Sequence, residues 1–311
     1  MKYINEINDL QLHEPTVITL GKFDGLHEGH KNLMDTMFSV KKERGYKALI
    51  FTFDIQPNAK IKKEPIPVIT TNLEKRSLFE DLGVDYFLEC PFTEDLMTMS
   101  PEAFLAFLVE KLCVKCFVVG EDFHFGYKRS GSVQTIADLA EKYDYSYYIK
   151  EKVKYKEKEI SSTYIRSELT AGNMATARKL LGYPYFIENE IVHGNHIGSA
   201  MGIPTVNMAI DEQKVIPPKG VYVSQVRVDG KTYMGVSNIG NKPTVGENYP
   251  TGVETFIFDF TEDLYGKTIR VSFLYYLRPE KKFASLEELK EQMLKDIASA
   301  KEYYEDVTKM C

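Results

Sequence analysis

Two histidines, His27 and His30, close the run Val17-Ile-Thr-Leu-Gly-Lys-Phe-Asp-Gly-Leu-His-Glu-Gly-His30, with Gly25 ahead of them and Gly29 between them. Imidazoles at this spacing donate hydrogen bonds to phosphoryl oxygens without adding bulk, and the glycines let the backbone approach an anion closely. A bare His-x-x-His also arises at surfaces and in structural metal sites, so the neighbouring elements carry the argument. Residues 17–20 read as a short buried strand, and Leu33, Met34, Met37 and Phe38 recur at helical spacing after Gly29. The pair therefore belongs to a strand-to-helix junction, where free N–H groups and the helix dipole favour a phosphate.

Three further segments have residue types suited to the same substrates. Ile160-Ser-Ser-Thr-Tyr-Ile-Arg166 precedes a helical pattern. Ser162 or Thr163 can cap that helix, and Arg166 in its first turn can grip a leaving pyrophosphate; simple capping beside a surface arginine is the competing account. Gly120-Glu-Asp-Phe-His-Phe-Gly126 follows an apolar strand and so falls at a sheet's carboxyl edge. There Asp122 can order a hydroxyl or a metal, while Phe123 and Phe125 either cover a planar ring or anchor the loop. In His193-Gly-Asn-His-Ile-Gly-Ser-Ala-Met-Gly-Ile-Pro-Thr-Val-Asn207, Gly194, Gly198 and Gly202 suit a loop that wraps phosphates, and no Walker-type lysine is present. Thr205 and Asn207 offer neutral oxygens of the kind Mg²⁺ accepts beside nucleotide phosphates. An ordinary glycine-rich connection with turn-forming Thr and Asn is the alternative.

The elements that must position these groups follow two grammars. The chain has 311 residues, 43% of them hydrophobic, which predicts two packed domains. Up to about Gly182, apolar strands at 48–53, 86–88 and 117–119 alternate with helical stretches at 73–82, 101–112 and 133–142, the pattern of a parallel sheet with crossover helices. Beyond it come short alternating strands at 185–192, 221–228, 233–237, 253–260 and 269–276, with Asp229-Gly230 as a hairpin turn, then a helix over 286–303. Closely spaced strands of this kind predict an antiparallel barrel or sandwich crossed by the last helix. The boundary is expected within 181–184.

Composition narrows the classes of function. A formal net charge of −6 gives no general attraction to nucleic acid. The charge run over 150–159 reads as a solvated hairpin. Four scattered cysteines suit reduced thiols rather than a disulfide framework, and Cys113-Val-Lys-Cys116, without a second pair, reads as packed thiols. With no long apolar stretch at the first residues or later, a soluble cytoplasmic protein is expected.

The histidine segment resembles the signature of the nucleotidylyltransferase superfamily. Taken with Gly120-x-Asp-Phe-x-Phe-Gly126 and Ser161-Ser-Thr-x-Ile-Arg166, it resembles the FMN adenylyltransferase module of bacterial bifunctional riboflavin kinase/FAD synthetase. The glycine-rich loop through Pro204 and Asn207, with Pro218-x-Gly-Val-Tyr222, Asn238-Ile-Gly-x-x-Pro-Thr244, Val253-Glu-Thr255 and Leu277-Arg-Pro-Glu-x-Lys-Phe283, is similar to the riboflavin kinase module. The resemblance implies an α/β nucleotidylyltransferase domain of Rossmann-like parallel-sheet type over 1–183. A small antiparallel Greek-key β-barrel with a C-terminal helix follows over 184–311. It implies two transfers: riboflavin and ATP give FMN, then FMN and ATP give FAD and pyrophosphate.

On that resemblance His27, His30, Arg166 and Glu254 are catalytic, with Glu254 the general base for the ribityl hydroxyl. Gly21, Phe23, Asp24, Gly29, Gly120, Asp122, Ser162, Thr163, Gly194, Gly198, Gly202 and Pro204 bind nucleotide. Phe123, Phe125, Arg278 and Glu280 border flavin, and Thr205 and Asn207 hold Mg²⁺. Glu254 sits among Val253, Phe256 and Phe258, and alternation places it on one face with the two phenylalanines, so exposure of all three is not expected. An exposed glutamate on an edge strand is the rival account. The chain departs from the family at Ile55-Gln56-Pro57, where Pro-His-Pro is usual, at Ser199, where a basic residue is common, and at Phe256, where a histidine is common. A monofunctional version and a non-catalytic flavin-nucleotide sensor are the alternatives; no partner protein is required.

Overall fold

A computed structural model describes residues 1–7, 10–54, 66–194, 198, 201–241 and 251–309. Gln56 and Ser199 lie outside the described residues. By their contacts the chain forms two compact units, Met1–Ser162 and Thr163–Cys311.

The first unit is a six-stranded parallel sheet in the order β1-β4-β3-β2-β5-β8. Its strands are β1 (Lys2–Ile4), β2 (Thr16–Leu20), β3 (Lys47–Phe53), β4 (Tyr86–Cys90), β5 (Val114–Gly120) and β8 (Ser146–Lys150). Between them run α1 (Glu28–Arg44), α2 (Asn72–Asp81), α3 (Glu94–Thr98), α4 (Pro101–Leu112), α5 (Val133–Asp138) and α6 (Ala140–Tyr143). β2 is buried throughout, and β3, β4 and β5 nearly so, as a sheet covered on both faces requires. α1 turns Leu33, Met34, Met37 and Val40 inward and stops at Gly45, whose φ of 70° closes the helix. α2 begins at a capping box of Thr71 and Glu74, and the Ser100 side chain caps α4. The order reverses at β2, whose neighbours are β3 on one side and β5 on the other, so the loops after β2 and β5 flank the crevice where open α/β sheets bind ligands.

β1 and β8 were not expected. They are the two edge strands, and Tyr147, Tyr148 and Ile149 of β8 are exposed, so neither strand carries the apolar run that marks a buried one. The charge run closes as the hairpin of β9 (Lys154–Tyr155) and β10 (Lys158–Glu159). A second small pair, β6 (His124–Phe125) and β7 (Gly131–Ser132), shapes the loop after β5.

The second unit opens with α7 (Ser162–Thr170, whose first residue belongs to the first unit) and α8 (Met174–Leu181), which packs on a barrel strand. The contact division therefore precedes the change of sequence pattern at 181–184. Six strands then close a barrel in the order β11-β12-β15-β14-β13-β16, all antiparallel. They are β11 (Phe186–Val192), β12 (Val206–Ala209), β13 (Gly220–Val228), β14 (Lys231–Asn241), β15 (Thr251–Ile257) and β16 (Thr268–Pro279). β13, β14 and β15 follow one another as neighbours while β16 returns beside β13, which is a Greek key. Closure leaves no free edge, so β15 is not an edge strand.

α9 (Leu286–Lys309) lies across β13 and β14, and Ala300 and Ile297 pack with Val223, Val236, Phe256, Phe258 and Leu274. On the opposite face of β13, β14 and β15, Ser224, Ser237 and Thr255 are fully buried. Their hydroxyls are linked at 2.7 and 2.8 Å.

Candidate functional sites

In the first unit the loop after β2 is bent by three residues of positive φ: Phe23 (49°), Gly25 (82°) and Leu26 (36°). Two of these are not glycine, a strain that persists only where surroundings over-determine it. They do so here. Asp24 Oδ1 accepts the N–H groups of Ile69 and Thr70 at 2.7 and 3.1 Å, Gly25 N–H donates to Thr70 Oγ1 at 3.0 Å, and Ser162 Oγ donates to the Asp24 carbonyl at 2.9 Å. Phe23 is buried with its ring edge against His30 and Phe79. Gly21 lies against that ring, 3.1 Å from where a Cβ would stand.

His27 occupies the N-cap position of α1, and its ring stacks on His30 with centroids 3.8 Å apart. A Cβ on Gly29 would stand 3.1 Å from the His27 ring, which explains the glycine between the histidines. The Nδ1 atoms of both rings are buried without a hydrogen-bond partner. Burial pushes His27 down to about 4 and His30 well below the usual imidazole range, with the neighbouring His27 contributing second. Both rings are therefore neutral at pH 7. They act as dipoles with one donor and one acceptor each, at the first turn of a seventeen-residue helix whose N-terminus favours an anion.

The loop after β5 divides its residues between two tasks. Phe125 is buried against Phe104 in the core, whereas Phe123 is half-buried and stacks on Phe125 with centroids 5.5 Å apart. Gly126 and Gly131 press on Pro101, where a Cβ would come within 2.9 and 2.8 Å. Asp122 is exposed and pairs with Lys152 at 3.3 Å. Ser162 is the first residue of α7, with its hydroxyl committed to Asp24, and Arg166 stands one turn further on with Nη2 3.4 Å from Thr163 Oγ1. Thr163 and Arg166 belong to the second unit.

The barrel's site is built by strand register. Glu254 on β15 pairs with Asn207 on β12 and with Asn238 on β14, so the three lie side by side across neighbouring strands. Thr205 Oγ1 donates to Glu254 Oε1 at 2.6 Å. A cavity of 320 Å³ opens here, lined by Gly198, Met201, Thr205, Asn207, Asn238 and Glu254 and by Phe256, Arg278, Glu280, Phe283, Met293 and Ile297. Along the face shared by Glu254, Phe256 and Phe258, the first is exposed, the second half-buried and the third buried. Glu254 thus needs no buried partner: it meets solvent in the cavity.

The glycine-rich loop packs on the same groups. A Cβ on Gly194 would fall 2.1 Å from Asn207 Nδ2, and one on Gly198 would fall 2.4 Å from the Ile203 carbonyl and 3.1 Å from Thr205 Oγ1. Gly202 has a φ of 79° and Pro204 is exposed. Arg278 does not reach out freely. Its Nε and Nη2 donate to the two carboxylate oxygens of buried Asp296 at 2.8 and 2.6 Å, and Nη1 donates to the Pro279 carbonyl. Glu280 Oε1 fills the space beside Gly240, 2.0 Å from where a Cβ would stand. Asn238 and Asp296 were missed as site residues; register opposite Glu254 marks the first, and nothing in its helical neighbourhood marks the second.

Among the described residues no cluster of three His, Cys, Asp or Glu side chains forms a metal cage, and no helix is long and apolar enough to cross a membrane.

A FAD synthetase family model matches residues 9–164, and a riboflavin kinase family model matches residues 181–304. The chain is 35% identical to the bifunctional riboflavin kinase/FMN adenylyltransferase of Bacillus subtilis (strain 168), over 94% of each chain. It is also 35% identical to the protein of that name from Escherichia coli (strain K12), over 98% of each. Among solved structures, one described as a macrolide-efflux protein from Streptococcus pneumoniae is 28% identical, covers 96% of this chain and 98% of its own, and superposes with a TM-score of 0.82. Family models in tandem and relatives matched along nearly their whole length lead to one conclusion: the chain belongs to the bifunctional riboflavin kinase/FMN adenylyltransferase family.

Proposed function

We propose that this transferase makes FMN from riboflavin in the barrel cavity and FAD from FMN at the histidine loop, with residues 1–183 serving adenylyl transfer and 184–311 serving phosphorylation. The observation that carries the reading is Glu254, exposed in the cavity, bonded to Thr205 and flanked in register by Asn207 and Asn238. Glu254 accepts the proton of the ribityl terminal hydroxyl as its oxygen attacks the γ-phosphorus of ATP, and ADP leaves. Phe256, Phe283 and Met293 supply the apolar wall for a flavin ring, and Asp296 holds Arg278 at its border. Asn207 and Thr205 suit a hard cation because both present neutral oxygens beside a carboxylate without closing a cage, as expected for Mg²⁺ that arrives with phosphates. Bound there, Mg²⁺ would offset phosphate charge.

At the other site a phosphate oxygen of FMN attacks the α-phosphorus of ATP and pyrophosphate leaves. The neutral His27 and His30 give hydrogen bonds rather than charge, the N-terminus of α1 supplies the field, and Arg166 holds the departing pyrophosphate. Phe123 is the ring contact of its loop and Phe125 its anchor. The partners are then small molecules, riboflavin, FMN and ATP, and neither nucleic acid nor membrane; with Cys90, Cys113 and Cys116 unpaired the protein suits the cytoplasm. Incubation of the purified protein with riboflavin and MgATP, with flavins separated over time, should show FMN first and FAD after it. FMN alone would overturn the two-site reading.

A further inference from the structure

Strand register lays five side chains in one row across the barrel face on which α9 packs. Asn207 on β12 stands opposite Glu254 on β15, Glu254 opposite Asn238 on β14, Asn238 opposite Val221 on β13, and Val221 opposite Arg278 on β16. Directly paired residues of antiparallel strands share a face, and all five line the 320 Å³ cavity. Most of the polar groups in or beside the row have a protein partner: Thr205 donates to Glu254, and Arg278 is held by two hydrogen bonds to buried Asp296. Asn238 differs. Its side chain is half-buried, and among the described residues its amide makes no hydrogen bond. A carboxamide has two donors and one acceptor, so holding it partly out of water without a partner is costly unless a ligand completes it. Room is kept for it as well: Asn238 Nδ2 and Glu280 Oε1 lie 3.0 and 2.0 Å from where a Cβ on Gly240 would stand, so any larger residue there would displace both.

We propose that Asn238 binds an inner hydroxyl of the ribityl chain and makes the phosphorylation site selective for a polyol side chain over a plain alkyl alcohol. The inference rests on the reading of Glu254 as the base. With the terminal hydroxyl at Glu254 and the phosphates towards Asn207, the rest of the chain runs the other way along the row. The first polar group it meets is the Asn238 amide, about 5 Å on. Val221 follows, apolar, and then Arg278 at the border of the flavin ring. A substrate without inner hydroxyls would cover the amide and leave it unpaired, and a site built to bond a hydroxyl rejects such an analogue strongly.

The test measures phosphorylation by the full-length wild type, Asn238→Leu and Asn238→Ala, each checked for native folding by circular dichroism. Two substrates are compared: riboflavin, and the analogue whose chain is 5-hydroxypentyl, which keeps the terminal hydroxyl and lacks the inner ones. Wild type should favour riboflavin by about 100-fold or more in kcat/KM. Both variants should lose about tenfold in kcat/KM for riboflavin and change by less than about threefold for the analogue, so that the preference itself falls about tenfold. A wild type that uses both substrates equally well would overturn the proposal. So would an equal loss on the two substrates, the mark of a residue that only shapes the cavity or steadies Glu254. If the bulk of leucine prevents folding, Asn238→Ala decides alone by the same ratio. A wild type that forms no FMN removes both this inference and the reading beneath it; a wild type that forms FMN while the variants keep its preference removes only the role of Asn238.

Discussion

At the scale of the residue, neutrality of the two histidines has a measurable cost. His27 has a native pKa near 4 against about 6.5 in an unfolded chain, so above about pH 6.5 it contributes nothing to pH dependence. As pH falls from 6.5 towards 4 the unfolded chain takes up a proton that the native one refuses, and stability drops by on the order of 3 kcal/mol from this group. Urea midpoints at pH 7.5 and 4.5 should differ accordingly, and His27→Gln should flatten the dependence; an unchanged midpoint in the wild type would mean that the ring is not held neutral. The types and spacing of His27, Gly29 and His30 were legible in the sequence because each has a local cause. The commitment of Asp24 to Ile69 and Thr70 was not, since a carboxylate 45 residues from its donors leaves no trace in spacing. Phe125 and Phe123 could not be told apart for a related reason: burial depends on Phe104, which belongs to α4, an element earlier in the chain.

Elements set what those residues can reach. The glycine-rich loop is pressed against the barrel, and Gly194→Ala would place a methyl group where the Asn207 amide now lies. Asn207 is buried and short, so it must rotate away, and KM for MgATP in the kinase reaction should rise about tenfold while adenylylation of supplied FMN is untouched. Initial-rate kinetics of the two reactions test this; a wild-type KM for MgATP would detach Asn207 from the metal. Interior strands of the sheet and its longer helices were visible from periodicity because they are apolar on the faces they bury, whereas the eight-residue α8 was not read. The edge strands β1 and β8 were not, nor was β12, only four residues long, where pairing with two neighbours rather than composition makes the strand.

For the whole molecule, a parallel sheet that carries the histidine loop and a closed barrel that carries Glu254 predict separable activities. Glu254→Gln should lower FMN formation by about 10²–10⁴-fold and leave conversion of supplied FMN to FAD intact. His30→Ala should do the reverse. Flavin separation after incubation with either substrate reads both, and equal loss of the two activities in a folded variant would contradict separate sites. The barrel also carries its own proofreading. Ser224, Ser237 and Thr255 share protons inside it, on three consecutive strands of the Greek key. Slipping β15 by one residue would put Glu254 among those hydroxyls and Thr255 in the cavity, burying a charge and breaking the Ser237–Thr255 hydrogen bond. The address of the Glu254 carboxylate is thus guaranteed by its neighbour, a threonine facing away from the cavity.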